Sequence, residues 1–234
     1  MDTRITRRAS LVRAGGFVAA ALGAGAWRSD ALLDSNAAAG GPAAVASGEV
    51  SCVLAAEQTE GPYYLEGDKV RRNITEGKAG TPLTLNLKVV NASTCKPIKG
   101  ATVDIWHCDA VGAYSGVEQS VGRTFLRGIQ KTNAQGIATF QTIYPGWYRG
   151  RTVHIHVKVH VAGNVVHTGQ LYFPDAVTDV VYKRTPYSSR PGRDTRNTAD
   201  NIYRNGGKRS SLGLRKRTKA AGYVGTITMG VQTG

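Results

Sequence analysis

The sequence predicts an all-β fold, and three observations predict it. Its 29 Gly and 8 Pro, with abundant Thr and Val, favour short strands joined by tight turns. Sustained 3.6-residue periodicity, the mark of an amphipathic helix, is scarce along the chain. Several short stretches instead alternate apolar with polar residues, which is the period of a half-buried strand. The content of 41% hydrophobic and 20% charged residues is that of an ordinary globular chain and excludes disorder and collagen.

Taken in order, the chain opens on Thr6-Arg7-Arg8-Ala9-Ser10-Leu11-Val12, a twin-arginine pattern followed by an uncharged run from Ala14 to Trp27. That run falls short of the roughly 20 apolar residues a membrane span needs. Ala44-Val45-Ala46 supplies a small-x-small cleavage site, so residues 1–46 read as an export signal and linker. Residues 47–234 then form one domain, with no internal repeat. In it, Leu83, Leu85, Leu87 and Val89 alternate with Thr84, Asn86 and Lys88 to make a first strand, ended by the turn NASTCKPIKG. ATVDIWHCD and FLRGIQKT follow, and Asn133-Ala134-Gln135-Gly136 turns the chain into IATFQTI. Val153 to Val161 alternates without a fault, Gly163-Asn164 sends the chain back through VVHTGQLYF, and GYVGTITMGV is a last strand. Residues 174–220 are polar and punctuated by Gly and Pro, which predicts long loops and a helical turn packed around the strands.

Charge is uneven. The formal net charge is +14, and Lys183 to Lys219 contains twelve Lys and Arg against only Asp194 and Asp200. The segment lacks a helix-turn-helix, a zinc finger or an aromatic stacking pattern, which argues against nucleic-acid binding. It reads as a basic surface whose field attracts anionic small molecules or an anionic polymer. Three Cys are too few for a disulfide scaffold, so the fold rests on a hydrophobic core with at most one bridge.

Chemistry concentrates between Tyr144 and His160. On a strand, Val153, Ile155, Val157, Val159 and Val161 point one way, and His154, His156, Lys158 and His160 the other. His154 and His156 are about 6.6 Å apart along the strand, close enough for both imidazoles to reach one ion. His160, roughly 13 Å beyond His156, is too far to join them and, with His167, reads as a structural or surface residue. No Cys, Asp or Glu lies between Asn133 and His167, so the nearby oxygen donors are Tyr144 and Tyr148. Phenolate is a hard oxygen ligand suited to ferric iron, whereas zinc favours thiolate, imidazole or carboxylate and blue copper needs a Cys beside the His pair. A His and Tyr donor set therefore points to non-haem Fe(III).

The segments EQTEGPYYL, VDIWHCDAVGAYSG, FLRGIQKTNAQG, TIYPGWYRGRTVHIHVKVH and GQLYFPD resemble the intradiol ring-cleavage dioxygenases, the superfamily of protocatechuate 3,4-dioxygenase and catechol 1,2-dioxygenase, and most closely its secreted single-domain branch. The resemblance runs from about Cys52 to Val231. It implies a two-sheet, antiparallel, prealbumin-like β-sandwich that cleaves catechol-type diols with O2 between the hydroxylated carbons, giving cis,cis-muconate products. The implied iron ligands are Tyr114, Tyr148, His154 and His156, with Tyr144 in the core or pocket wall. Tyr148 is the tyrosine expected to leave the metal and take up a catechol proton. Arg151 matches an arginine lying over the substrate ring, Gln170 a pocket glutamine, and Gly61, Pro62 and Tyr63 the segment that walls the catechol pocket. The short step from Tyr148 to His154 implies an open pocket, and a monomer is expected. Relatives place a small apolar residue where Cys108 stands, and Cys95 is separated from Cys108 by a strand, so the expected disulfide is Cys52 with Cys95. Two other readings are disfavoured. A secreted binding module needs no such tyrosines and arginine, and a cupin-type site wants a carboxylate and a third His placed farther along the barrel, which the position of His160 argues against.

Overall fold

The computed structural model describes residues 54–67 and 69–233. By its contacts the chain divides into residues 1–36 and 37–234, and all described residues belong to the second unit. The stretch expected to be an export signal, the expected cleavage site and Cys52 lie outside the described residues.

Eight strands form two four-stranded sheets. Their ranges are β1 Pro82–Asn91, β2 Thr102–Trp106, β3 Arg127–Lys131, β4 Ile137–Ile143, β5 His154–Val161, β6 Asn164–Tyr172, β7 Gly213–Lys216 and β8 Tyr223–Val231. One sheet has the order β4-β1-β8-β7 and the other β3-β2-β5-β6. This is the expected β-sandwich, with three departures in detail. β1 pairs with β8 in parallel, matching Leu85 to Gly225, while every other pairing between named strands is antiparallel. The turn at Asn133–Gly136 does not close a hairpin but carries the chain from β3 in one sheet to β4 in the other. Asn133 Oδ1 accepts from the N–H groups of Gln135 and Ile137, and Gly136 takes φ +73° where a Cβ would meet the Val89 carbonyl at 2.5 Å. The third departure is β7, a four-residue edge strand in the stretch read as loops.

Alternation explains the core. Leu83, Leu85, Leu87 and Val89 of β1 meet Val103 and Ile105 of β2, Phe140 of β4, and Ile155, Val157 and Val159 of β5 in one buried cluster. Burying each such side chain stabilises the fold by roughly 1.5–3 kcal/mol, which is why the period-two pattern fixes the register of both sheets.

The opposite face of the β3-β2-β5-β6 sheet is also buried. Asp104, Trp106, His154, His156, Lys158 and Gln170 are at most 7% exposed. Two irregular segments cover them. Residues 54–67 form a strap held by the Ala55 N–H on the Gly230 carbonyl, the Gln58 N–H on the Thr168 carbonyl, and a Glu57 carboxylate on His167 Nδ1 and the Thr168 N–H. Lys158 reaches up from β5 to Glu60 and lies 3.6 Å over the Tyr64 ring, fastening the strap to the sheet. Residues 174–212 supply the second cover, with helix α1 Asp175–Val181, helix α2 Asn201–Arg204 and three 3₁₀ turns. Arg193 ties this segment together by donating to Asp175 and Asp179. No helix among the described residues is long and apolar enough to cross a membrane. Cys95 is disulfide-bonded and Cys108 is a free, buried thiol.

Candidate metal centre

The covered sheet face holds the site. β5 presents His154 and His156, 2% and 1% exposed, with their Nε2 atoms 3.2 Å apart. His154 Nδ1 donates to the Thr152 carbonyl at 2.6 Å, which fixes its tautomer and leaves Nε2 as a lone pair. The Tyr148 hydroxyl donates to that Nε2 at 3.0 Å. His156 is held by its faces: Trp106, its cross-strand partner on β2, stacks on it at 4.9 Å and an interplanar angle of 5°. Gly61 of the strap closes over it with φ +75°, and a Cβ there would sit 3.1 Å from His156 Cε1.

Tyr114 arrives from the loop after β2. Asp109 builds that loop: its Oδ1 accepts from the Val111 and Ala113 N–H groups, and its Oδ2 accepts from Lys78 Nζ at 2.7 Å. The Tyr114 ring stacks on Tyr63 at 4.4 Å and meets Tyr148 edge-on at 5.8 Å. Its buried hydroxyl makes no hydrogen bond of ordinary geometry among the described residues. The Tyr148 hydroxyl is its near neighbour, which leaves its oxygen open to a ligand.

Arg151 and Gln170 lie beside these donors. Arg151 Nη1 points at the Tyr148 hydroxyl at 3.4 Å, Nη2 donates to Gln170 Oε1 at 2.5 Å, and Nε donates to Asp200 Oδ2 at 2.8 Å. Gln170, fully buried opposite His156 on β6, donates to the Thr59 carbonyl of the strap at 3.1 Å. Pro62 is exposed, whereas Gly61 and Tyr63 line the centre directly.

Residues outside this group have other roles. Tyr144 belongs to the main core, bonded through its hydroxyl to Thr178 and packed on Phe173. His167 is buried and paired with Glu57, and His160 is half-exposed past a register shift in β5. Three contributors carry no local sequence signal. Trp106 and Tyr172 read only as strand aromatics, and Asp200 lies in the aperiodic segment. An aspartate before Asn201-Ile202-Tyr203 hints at an N-cap, but nothing in one dimension ties it to Arg151.

Electrostatics match the geometry. Burial, reinforced by the Arg151 charge, pushes His154 down to about 3, and burial beside His154 holds His156 well below its ordinary value. Both imidazoles are therefore neutral and available as donors. Burial pushes Tyr148 up to about 12, partly offset by Arg151, and raises Tyr114 well above the ordinary phenol range. A phenolate in this site accordingly requires a cation beside it. Among the described residues no three His, Cys, Asp or Glu are grouped to hold a metal, so any ion here relies on phenol oxygens. The buried Tyr114 hydroxyl, which interacts with that of Tyr148, and the clustered Tyr148 hydroxyl and two Nε2 atoms fit one small hard cation.

A family profile described as "Dioxygenase" matches residues 59–184. A solved structure described as an intradiol ring-cleavage dioxygenase from Tetranychus urticae is 38% identical, with a TM-score of 0.74 over 77% of this chain and 95% of that one. The dioxygenase domain of a dioxygenase carbohydrate-binding protein fusion from the cellulolytic bacterium Streptomyces sp. SirexAA-E is 32% identical, with a TM-score of 0.61 over 77% of this chain and 99% of that one. A chlorocatechol 1,2-dioxygenase from Pseudomonas putida is 28% identical over 49% of this chain and 52% of its own length. The chain thus spans about half the length of the curated relatives it matches. Since the profile covers more than half of the sequence and includes Tyr114, Tyr148, His154 and His156, the chain belongs to the intradiol ring-cleavage dioxygenase family.

Proposed function

We propose that this chain is a non-haem Fe(III) dioxygenase that opens catechol-type rings between the two hydroxylated carbons, incorporating both atoms of O2 into a cis,cis-muconate product. One observation carries the reading: His154 Nε2 lies 3.0 Å from the Tyr148 hydroxyl and 3.2 Å from His156 Nε2, and the buried Tyr114 hydroxyl is turned toward that of Tyr148. Those four residues would hold the iron. When bound, Fe(III) supplies Lewis acidity that activates the catechol rather than O2. Tyr148 Oη is suited to receive a catechol proton, because burial favours its neutral form at physiological pH. Arg151 brings a fixed positive charge beside Tyr148, where negative charge building on the ring is stabilised. The strap residues Gly61 and Tyr63 wall the substrate in, with exposed Pro62 between them at the rim, and Gln170 holds the guanidinium and strap at a set spacing.

The twin-arginine pattern supports export of the folded, loaded enzyme, acting outside the cytoplasm as a monomer. The basic segment 183–219 supports anionic diols, or diol units of an acidic polymer, as substrates. The test is to load purified protein with Fe(III), record its visible spectrum, and follow O2 uptake and product mass across a panel of catechols. A red-brown phenolate-to-iron band and muconate products are expected. A colourless iron-loaded protein, or ring opening outside the diol, would sink the reading.

A further inference from the structure

Asp200 is 1% exposed and accepts four hydrogen bonds. Its Oδ1 takes the Ile202 and Tyr203 N–H groups at 2.7 and 2.9 Å, capping α2. Its Oδ2 takes the Thr152 N–H and Arg151 Nε, both at 2.8 Å. A carboxylate commonly engages an arginine through two parallel N–H bonds. Here it uses Nε alone, and Gln170 Oε1 takes Nη2. The remaining nitrogen, Nη1, then faces the Tyr148 hydroxyl at 3.4 Å.

The hold on Asp200 is itself braced. The Ile202 and Asn205 carbonyls of α2 and its end accept from Gln58 Nε2, and Gln58 Oε1 accepts from the Tyr172 hydroxyl. The same hydroxyl lies 3.1 Å from Gln170 Oε1, the atom that receives Arg151 Nη2, so its single proton is shared between the two glutamine oxygens. Arg151, Asp200, α2, Gln58, Tyr172 and Gln170 therefore lie in a ring of hydrogen-bonding groups, closed through the shared Tyr172 proton, that joins β5, β6, the strap and α2.

We infer that Asp200 is a positioning residue: by occupying Nε, it turns the Arg151 guanidinium so that Nη1 faces the Tyr148 hydroxyl. Arg151 touches the reacting groups and Asp200 acts only through it. This rests on the catechol-cleaving reading above, but the orientation itself can be measured without turnover. Lys or Gln at position 151 could not replace this fork, since neither offers three separate N–H edges in one plane.

The experiment compares wild type, Asp200→Ala, Asp200→Asn, Arg151→Ala and the Asp200→Asn/Arg151→Ala double variant. In iron-free wild type, a slowly exchanging Arg151 Nε–H is expected by NMR, and fast exchange in Asp200→Asn. With Fe(III) loaded, Asp200→Asn should retain iron and the tyrosinate band yet lose about 100-fold in kcat on catechol, the scale of a removed preorganised donor, with KM changed far less. In the Arg151→Ala background the same change should cause no further loss, which a purely structural role would not predict. Asp200→Ala should repeat this if it folds; the near-isosteric Asn variant decides the matter if it does not. Wild-type turnover and NMR exchange in Asp200→Asn, or an equal further loss in the double variant, would overturn the inference. An inert wild type would instead defeat the functional reading and leave the NMR exchange to decide the orientation.

Discussion

At the scale of single residues, the two tyrosines of the centre differ in what holds them. Tyr114 is packed against Tyr63 in a loop pinned by Asp109 and Lys78. Tyr148 sits before Gly150 in the short link to β5, with Arg151 at its hydroxyl. Tyr148→Phe should keep Fe(III) through Tyr114, His154 and His156 while turnover falls about 100-fold or more, the scale of a lost general base. Tyr114→Phe should weaken iron retention and alter the visible band with or without catechol. Anaerobic catechol titration of both variants, followed by spectrum and bound iron, checks this. Normal turnover of Tyr148→Phe would remove it as the proton acceptor. Gly61 offers a second check, because its φ of +75° strains any side chain and a methyl group there would press on His156 Cε1 at 3.1 Å. Gly61→Ala should destabilise the fold by about 1 kcal/mol and loosen the His156 imidazole. Iron retained after dialysis against a chelator is the readout, and wild-type retention would mean that the strap does not fix His156.

Among the elements, His107 stitches the two sheets at the exit of β2. Its Nδ1 donates to the Cys108 carbonyl at 2.8 Å, so Nε2 is left to accept from the Thr142 hydroxyl of β4 at 2.7 Å. Both ring nitrogens are used by the neutral form, and burial pushes the group down to about 4. Between pH 6.5 and 4 the unfolded chain binds a proton at this position that the folded one does not. Stability should therefore fall as pH drops through that window, by on the order of 3 kcal/mol from this residue, and level off below it. Urea midpoints measured across the window would test it: His107→Gln should flatten the slope, and an unchanged slope would assign the acid sensitivity elsewhere. The strands themselves were legible because their alternation is local: Leu83 to Val89 and Val153 to Val159 show in one dimension which side faces the core. The covering elements were not. β7 is a short edge strand with mostly exposed side chains, so it carries no alternation, and the parallel β1–β8 pairing joins residues from opposite ends of the domain. That Tyr114, Tyr148, His154, His156 and Arg151 gather at one place was legible through their motifs and the His-x-His spacing. Asp200 was not, because its partner is 49 residues away and its own segment has no period.

For the molecule as a whole, the net charge of +14 is concentrated between Lys183 and Lys219, and the structure sorts those cations. Arg193 and Arg196 are paired with Asp175 and Asp179, and Arg190 donates to the Val111 and Trp147 carbonyls. Arg204, Lys208 and Arg209 are exposed, form no ion pair among the described residues, and line an open cleft of about 460 Å³ with Tyr203. Tyr203 packs edge-on against Tyr172 at 5.0 Å, and Tyr172 belongs to the hydrogen-bond ring around Arg151. An anion drawn to this face is thus drawn to the flank of the candidate metal centre. Free charges on a surface act over about 10 Å at 0.1 M salt and over less at higher salt, so their effect is on encounter and is erased by ionic strength. For a carboxylated catechol, kcat/KM should fall as salt rises, while that for neutral catechol should hardly change. Replacing Arg204, Lys208 and Arg209 together by Ser should flatten the slope for the carboxylated substrate and leave the neutral one alone, since none of the three touches the metal-site residues. Equal salt slopes for both substrates in wild type would reduce the segment to a solubility feature. A slope that survives the triple replacement would instead move the attraction to the exposed cations of β7 and its turn, Arg215, Lys216, Arg217 and Lys219, on the other sheet.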